Sequence, residues 1–165
     1  MKDVSSATTS LILRPVRLPE DESFLAKLYA STRVDELLQT PWNDEQKAAF
    51  CRMQFEAQRA HYDKHFPVPP ATHDVIERDG APAGRLYVDR SEAKIHIVDI
   101  ALLPEHRGAG IGTKLLRQLQ EEARSAGRAL SIHVEKFNPA LRLYQRLGFQ
   151  PIEDKGVYLL MEWVS

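Results

Sequence analysis

The segment Arg107-Gly108-Ala109-Gly110-Ile111-Gly112 constrains this chain more than any other, because of what stands on either side of it. Before it runs Ile95-His96-Ile97-Val98-Asp99-Ile100-Ala101-Leu102, nearly all apolar toward its end, as a central strand covered on both faces requires. After it, from about residue 111 to 126, Leu115, Leu116, Leu119 and Ala123 recur on one helical face, and Gly127 follows as a C-terminal cap. A strand that passes into a helix through glycines leaves the first helical amides unpaired, aligned and partially positive. Glycine also lets an anion come close to that backbone. The segment is read as a nest for the oxygens of a phosphate-bearing ligand, within an α/β domain. Glycines that only permit a tight turn would read the same way locally.

Two better-known phosphate loops fit poorly. The dinucleotide pattern belongs after a first strand with different glycine spacing, and the mononucleotide loop ends in Gly-Lys-Ser or Gly-Lys-Thr, whereas this chain has Gly112-Thr113-Lys114. The remaining elements follow from periodicity and breakers. Leu11 to Val16 reads as a strand ending near Pro15, and Pro19-Glu20-Asp21-Glu22 opens a helix with Phe24, Leu25, Leu28 and Tyr29 as its apolar stripe. Asn43 and Gln46 form a capping pair for a helix over roughly 44–63, with Phe50, Met53, Phe55, Ala57 and Ala60 as apolar positions. Strands near 73–77 and 84–88 flank an Asp79-Gly80 hairpin turn. Residues 129–134 form another strand, 139–147 a short helix closed by Gly148, and 149–153 and 156–163 the last two strands. The order is strand, helix, helix, three strands, helix, strand, helix, two strands, in one domain over 1–165 with a loose 1–9.

A chain of 165 residues suits one core, and a net charge of -1 gives no general attraction to nucleic acid. Cys51 is the only cysteine, so no intrachain disulfide or cysteine metal site can form; it is expected to pack as a small buried side chain. The six histidines include an i,i+4 pair, His61 and His65, that lacks a third ligand, and no metal is expected. The N-terminal residues carry no apolar leader and no stretch is long enough to span a membrane, which predicts a cytoplasmic protein.

At Arg107-x-x-Gly110-x-Gly112 the chain resembles the GCN5-related N-acetyltransferase (GNAT) superfamily. Asn138-Pro139-Ala140-x-x-Leu143-Tyr144-x-x-Leu147-Gly148-Phe149 matches the family's later segment, in the right order and spacing. The resemblance implies a GNAT-like mixed α/β (α+β) fold: a central, mostly antiparallel twisted sheet of about six or seven strands with one splayed pair, flanked by about four helices. It implies transfer of an acetyl group from acetyl-CoA, as co-substrate, to an amine by direct attack through a tetrahedral intermediate. The amides of Gly108, Ala109, Gly110, Ile111, Gly112 and Thr113 would then take the pyrophosphate, with Arg107 beside them and Asn138 in the second motif. Ile100 and Leu102 would offer main-chain groups to the thioester and pantetheine arm, and Tyr144 would protonate or hydrogen-bond the leaving thiolate.

Asp99 is the candidate base, because a charge inside an apolar strand needs a partner or a function. His96 and His133 are possible relays, though strand alternation puts His96 on the face opposite Asp99. Family members shape the acceptor pocket from the first helices and the loop between them. That draws in Tyr29, Arg33 and Trp42, with Ser31, Thr32, Asp35 and Glu36 nearby. Gln54, Gln58 and Tyr62 share a helical face, Arg85 and Tyr87 share a strand face, and Glu135 stands at the mouth of the splay. The mixed charges give no preference between a cationic amine and an amino acid. The partner is expected to be a small-molecule or peptide amine, with a homodimer through the C-terminal strands as an option. A non-catalytic CoA-sensing module and a protein or aminoacyl-tRNA acetyltransferase are the alternatives.

Overall fold

The computed structural model describes residues 9–165, so the looseness expected of 1–9 falls almost wholly outside the described residues. Strand β1 (Leu11–Pro15) ends at its proline and is followed by helices α1 (Glu22–Ser31), α2 (Val34–Leu38) and α3 (Asp44–His65). Strands β2 (Thr72–Arg78), β3 (Ala81–Asp89) and β4 (Ile95–Leu102) come next, then a 3-10 turn at Pro104–His106 and helix α4 (Ile111–Ala126). The chain closes with β5 (Leu130–Glu135), α5 (Leu141–Arg146), β6 (Gln150–Asp154) and β7 (Tyr158–Trp163). Both β4 and α4 have the expected bounds. Helix α1 starts at Glu22 without a side-chain cap, since Asp21, ahead of it, spends its carboxylate on the Arg14 guanidinium and the Arg17 amide.

One sheet holds all seven strands in the order β1-β2-β3-β4-β5-β7-β6. Every neighbouring pair is antiparallel except β4 and β5. Asp79 and Gly80 both take positive φ, 50° and 83°, which is the geometry a two-residue hairpin between β2 and β3 needs. Helices α4 and α5 cover one face. Their Leu115, Leu116, Leu119 and Tyr144 pack on Leu86, Val88, Ile95, Ile97, Ile132 and Met161, all buried. Each such aliphatic side chain contributes about 1.5–3 kcal/mol on leaving water.

Helices α1 and α3 cover the other face, with Leu25, Tyr29 and Phe55 as a smaller apolar cluster. Here the expected stripe of α3 needs correction. Met53 is 56% exposed and Ala57 and Ala60 face solvent. The covered stripe is Cys51, Phe55, Gln58 and Tyr62, at steps of four, three and four residues. It turns polar halfway along because the sheet beneath it turns polar, at Arg85 and Asp99. The Asn43–Gln46 capping box at its start forms in both directions.

Candidate active site

The site begins with a fault in the sheet. Strands β4 and β5 pair over only Ile95–Ile97 against Leu130–Ile132 and then part, although β4 continues to Leu102 and β5 to Glu135. The fault coincides with a bulge. Val88 pairs with Ile97 and Tyr87 with Asp99, so Val98 is the extra residue. A bulge bends its strand and sharpens the local twist, which carries β4 away from β5. It also shifts the parity of every residue beyond it. His96 aligns with Asp89 and Asp99 with Tyr87, and these two partners share a face. His96 and Asp99 therefore lie on the same face, not opposite ones as simple alternation predicts.

At the far end of β4 stands the glycine loop. Gly108 and Gly110 hold φ of 76° and 81°, and a Cβ at either would meet nothing within 4 Å. Helix α4 has no side-chain cap and no acidic residue in its first turn, and its first ladder bond is Lys114 N–H to Gly110 C=O. The amides of Ile111, Gly112 and Thr113 thus precede the ladder and have no intrahelical partner. Arg107 turns back from this loop, its Nε donating to the Leu102 carbonyl at 3.0 Å and fixing the end of β4. Asn138 is exposed and orders the turn into α5, its side chain accepting from the Ala140 amide at 2.9 Å.

Tyr144 approaches the splay from the α4–α5 face. It is buried, edge-on to Phe149 with ring centroids 5.8 Å apart, and its hydroxyl has no hydrogen-bond partner among the described residues. Burial first, and the Asp99 charge second, raise its pKa well above the ordinary phenol range. The phenol therefore keeps its proton at neutral pH and feels a carboxylate across the opening.

The opposite face is polar. Asp99 Oδ2 accepts from Arg85 Nη2 at 2.6 Å and from the Tyr62 hydroxyl at 2.8 Å, and Arg85 also donates to Gln58 at 2.6 Å. Side-chain exposure is 5% for Arg85 and 14% for Asp99, so this is a buried ion pair. Burial works against the Arg85 charge, but Asp99 and the flanking tyrosines offset it and hold the guanidinium firmly protonated. Burial and the Asp99 charge push the Tyr62 phenol up. Tyr87 lies flat on His73 at 4.1 Å and beneath the Arg85 guanidinium.

Nearer the vertex, His96 Nδ1 lies 2.8 Å from Ser131 Oγ, its ring stacks on Phe66, and His133 meets it edge-on at 5.0 Å. Burial first and His133 second push the His96 imidazole down to about 4, so it is neutral at pH 7. At the mouth, Arg33 donates to Tyr29 Oη at 3.2 Å and to Glu36 at 2.8 Å, and stands 3.7 Å from Glu135.

Of the residues singled out from sequence, the structure gathers Asp99, Gln58, Arg85 and Tyr87 on one wall and Tyr29, Arg33 and Glu135 on another. Trp42 instead packs at a tilt against Phe50 of α3, with ring centroids 5.0 Å apart, and Gln54 makes no side-chain hydrogen bond among the described residues. Helix α2, Phe66 and Ser131 were not anticipated. Five residues are too few for periodicity to show, and Ser131 carries a signal only once paired with His96. Among the described residues no three His, Cys, Asp or Glu side chains group as for a metal ion, and no helix is long and apolar enough to cross a membrane.

Comparison with known proteins agrees with this architecture. A Bacillus subtilis protein provisionally named a ribosomal protein bS18-alanine N-acetyltransferase is 35% identical over 108 residues, 59% of this chain and 70% of the relative. Streptothricin acetyltransferase of Streptomyces lavendulae is 38% identical over 82 residues, 47% of this chain and 43% of that protein. The crystal structure of the PaiA N-acetyltransferase from Thermoplasma acidophilum, in complex with coenzyme A, superposes with a TM-score of 0.70 over 94% of this chain and 99% of the other. At 16% identity, that likeness speaks for the fold. The sequence profile of the acetyltransferase (GNAT) family matches residues 31–149, a span that takes in the splay, the glycine loop and Tyr144. The chain belongs to the GNAT family of acetyltransferases.

Proposed function

We propose that this protein transfers acetyl from acetyl-CoA to a primary amine of a small molecule or peptide, by direct attack. The observation that carries the reading is the splay, with uncapped helix amides at its far end, a protonated phenol on one face and a carboxylate on the other. The residues present fit the cofactor. Gly108 and Gly110, both at positive φ, have nothing within 4 Å of where a Cβ would stand, and the Ile111, Gly112 and Thr113 amides that follow lack intrahelical partners, as a diphosphate site requires. The main chain of Ile100 and Leu102, on the stretch of β4 that β5 abandons, lies along the path of the arm; Leu102 keeps one carbonyl lone pair beyond the Arg107 bond.

Acetyl-CoA supplies the electrophilic thioester carbonyl. Main-chain N–H near Ile100 steadies the charge gathering on the carbonyl oxygen. Tyr144, protonated and without a competing partner among the described residues, donates to the departing sulfur. Asp99 turns Oδ2 to Arg85 and Tyr62, while Oδ1 has no partner among the described residues and takes the amine proton, directly or through water. The bonds from Arg85 and Tyr62 hold the Asp99 carboxylate in place, with Oδ1 turned to the opening.

The test is release of free thiol from acetyl-CoA over a panel of polyamines, amino acids, peptides and aminoglycosides, with coenzyme A binding measured separately by calorimetry. At least one amine is expected to raise thiol release well above hydrolysis. Tight coenzyme A binding with no turnover on any amine would favour a sensing module; absence of binding would end the reading.

A further inference from the structure

The acceptor's approach is set by the two faces of the splay. The α4–α5 face is closed by apolar packing around Tyr144, Phe149 and Leu143. The other face presents Asp99, His96, His133, Glu135 and Arg33. An amine must come through this second face.

Its charges are unevenly paired. Asp99 is paired with Arg85 through Oδ2, leaving Oδ1 for the reacting amine. His96 is neutral at pH 7 and His133 is pushed down, by burial first and then by Lys155. Arg33 gives its Nη1 to Glu36 at 2.8 Å and its Nε to Tyr29, so Glu135, at 3.7 Å, is only its distant partner. Two carboxylates, Glu36 and Glu135, share Arg33 at the mouth, and Glu135 is the more loosely held, with Arg33 Nη1 at 3.7 Å and the Tyr158 phenol beside it. That carboxylate is 35% exposed and open to a ligand. The Tyr158 ring stands beside it, its phenol pushed up by burial and then by the Glu135 charge.

From this arrangement we infer that Glu135 selects an acceptor carrying a second positive charge: a diamine, or a peptide amine with a neighbouring cationic side chain. The inference rests on the acetyl-transfer reading above. Glu135 lies three residues past Ile132, and Asp99 one paired step past Ile97. At about 3.3 Å per residue and at least about 4.8 Å between strands, the two positions stand roughly 8–10 Å apart. With each nitrogen about 3 Å from its carboxylate, a spacer of about four carbons fits. A carboxylate-bearing acceptor is disfavoured, since it would have to displace Glu36 from Arg33 and lie against Glu135.

The experiment measures thiol release with 1,4-diaminobutane, butylamine and 4-aminobutyrate, and thermal stabilisation by each in the presence of coenzyme A. The diamine is expected to exceed butylamine by about tenfold or more in kcat/KM, as for one partly exposed ion pair. Glu135→Gln should bring the ratio of the two near one, and Glu135→Lys should shift preference to 4-aminobutyrate. Equal use of diamine and butylamine, a preference for 4-aminobutyrate, or a ratio unmoved by Glu135→Gln overturns the inference while leaving acetyl transfer standing. If no amine releases thiol, the transfer reading fails; stabilisation by the diamine that Glu135→Gln abolishes then still supports the cation site, and its absence overturns it.

Discussion

Replacing Gly110 by alanine separates backbone strain from ligand binding, because the chain contains its own control. Gly110 and Gly127 both sit in the left-handed region, at φ of 81° and 65°, at opposite ends of α4, and a Cβ at either meets nothing within 4 Å. An L-residue held there costs about 1–2 kcal/mol, of which the lower entropy of the unfolded alanine chain returns about 0.4–1. The net loss is about 1 kcal/mol in each variant. For a domain of this size, that lowers Tm by about 2–4 °C. Ligand binding should divide them. At Gly127 the methyl points into solvent far from the splay. At Gly110 the methyl stands at the N-terminus of α4, where the proposed diphosphate site lies, and it is expected to displace an oxygen from at least one amide. A hydrogen bond to a charged group contributes about 1.5–3 kcal/mol, so coenzyme A should bind roughly 10–150-fold more weakly to Gly110→Ala and unchanged to Gly127→Ala. Differential scanning calorimetry reads the first effect and titration calorimetry the second. Equal coenzyme A affinity in the two variants would refute the assignment of the loop. An unchanged Tm in both would refute the strain argument.

Three further outcomes follow from the same geometry. Tyr144→Phe should lower turnover by about two orders of magnitude or more while coenzyme A affinity and Tm hold, since the hydroxyl has no partner among the described residues and the ring keeps its contact with Phe149; parallel loss of affinity and turnover would mark it as packing only. Arg85→Met should destabilise by about 3–5 kcal/mol in urea titrations, because it strands Asp99 among Tyr62 and the sheet, and Arg85→Met with Asp99→Asn should recover much of that loss. The His96 pKa of about 4 lies below that of an unfolded histidine, so the unfolded chain takes up the proton first as pH falls. The stability His96 contributes is whole above about pH 6.5 and drains away between there and pH 4, by up to about 3 kcal/mol; His96→Phe should flatten that part of the urea midpoint profile, and an unchanged slope would contradict the burial argument.

The parts legible in the sequence are those whose cause is local. The bounds of β4 and α4, the Asn43–Gln46 box, the Asp79-Gly80 turn and the cap at Gly127 each depend on residues within one or two turns of chain. The GNAT resemblance rested on two such local motifs, at 107–112 and 138–149, and the fold it implied stands. What stayed hidden joins distant residues. Gln58, Arg85 and Asp99 were each picked out alone, yet the meaning of each lies in the other two, 27 and 14 residues away. The apolar stripe of α3 went astray for the same reason: Met53 looks like core by composition, but the sheet below α3 offers a charged pair, so Gln58 and Tyr62 took the covered positions.

Val98 is the sharpest case, because one residue without chemistry of its own sets where the chemistry stands. Period-two reading of β4 assigns His96 and Asp99 to opposite faces, and no composition signal warns of a bulge in a run of β-branched residues. Without the extra residue, Asp99 would point into the α4 core, where a carboxylate without a partner costs several kcal/mol. The bulge turns it toward Arg85 and Tyr62. The same distortion ends the pairing of β4 with β5 after Ile97, and so opens the splay in front of the carboxylate it has just redirected. The turn of Asp99 and the opening of the splay thus have one origin, which explains why the sequence could name Asp99 and imply a splayed pair but not tell which face Asp99 takes, while the glycine loop, beginning five residues past the end of the strand, is written in local residues.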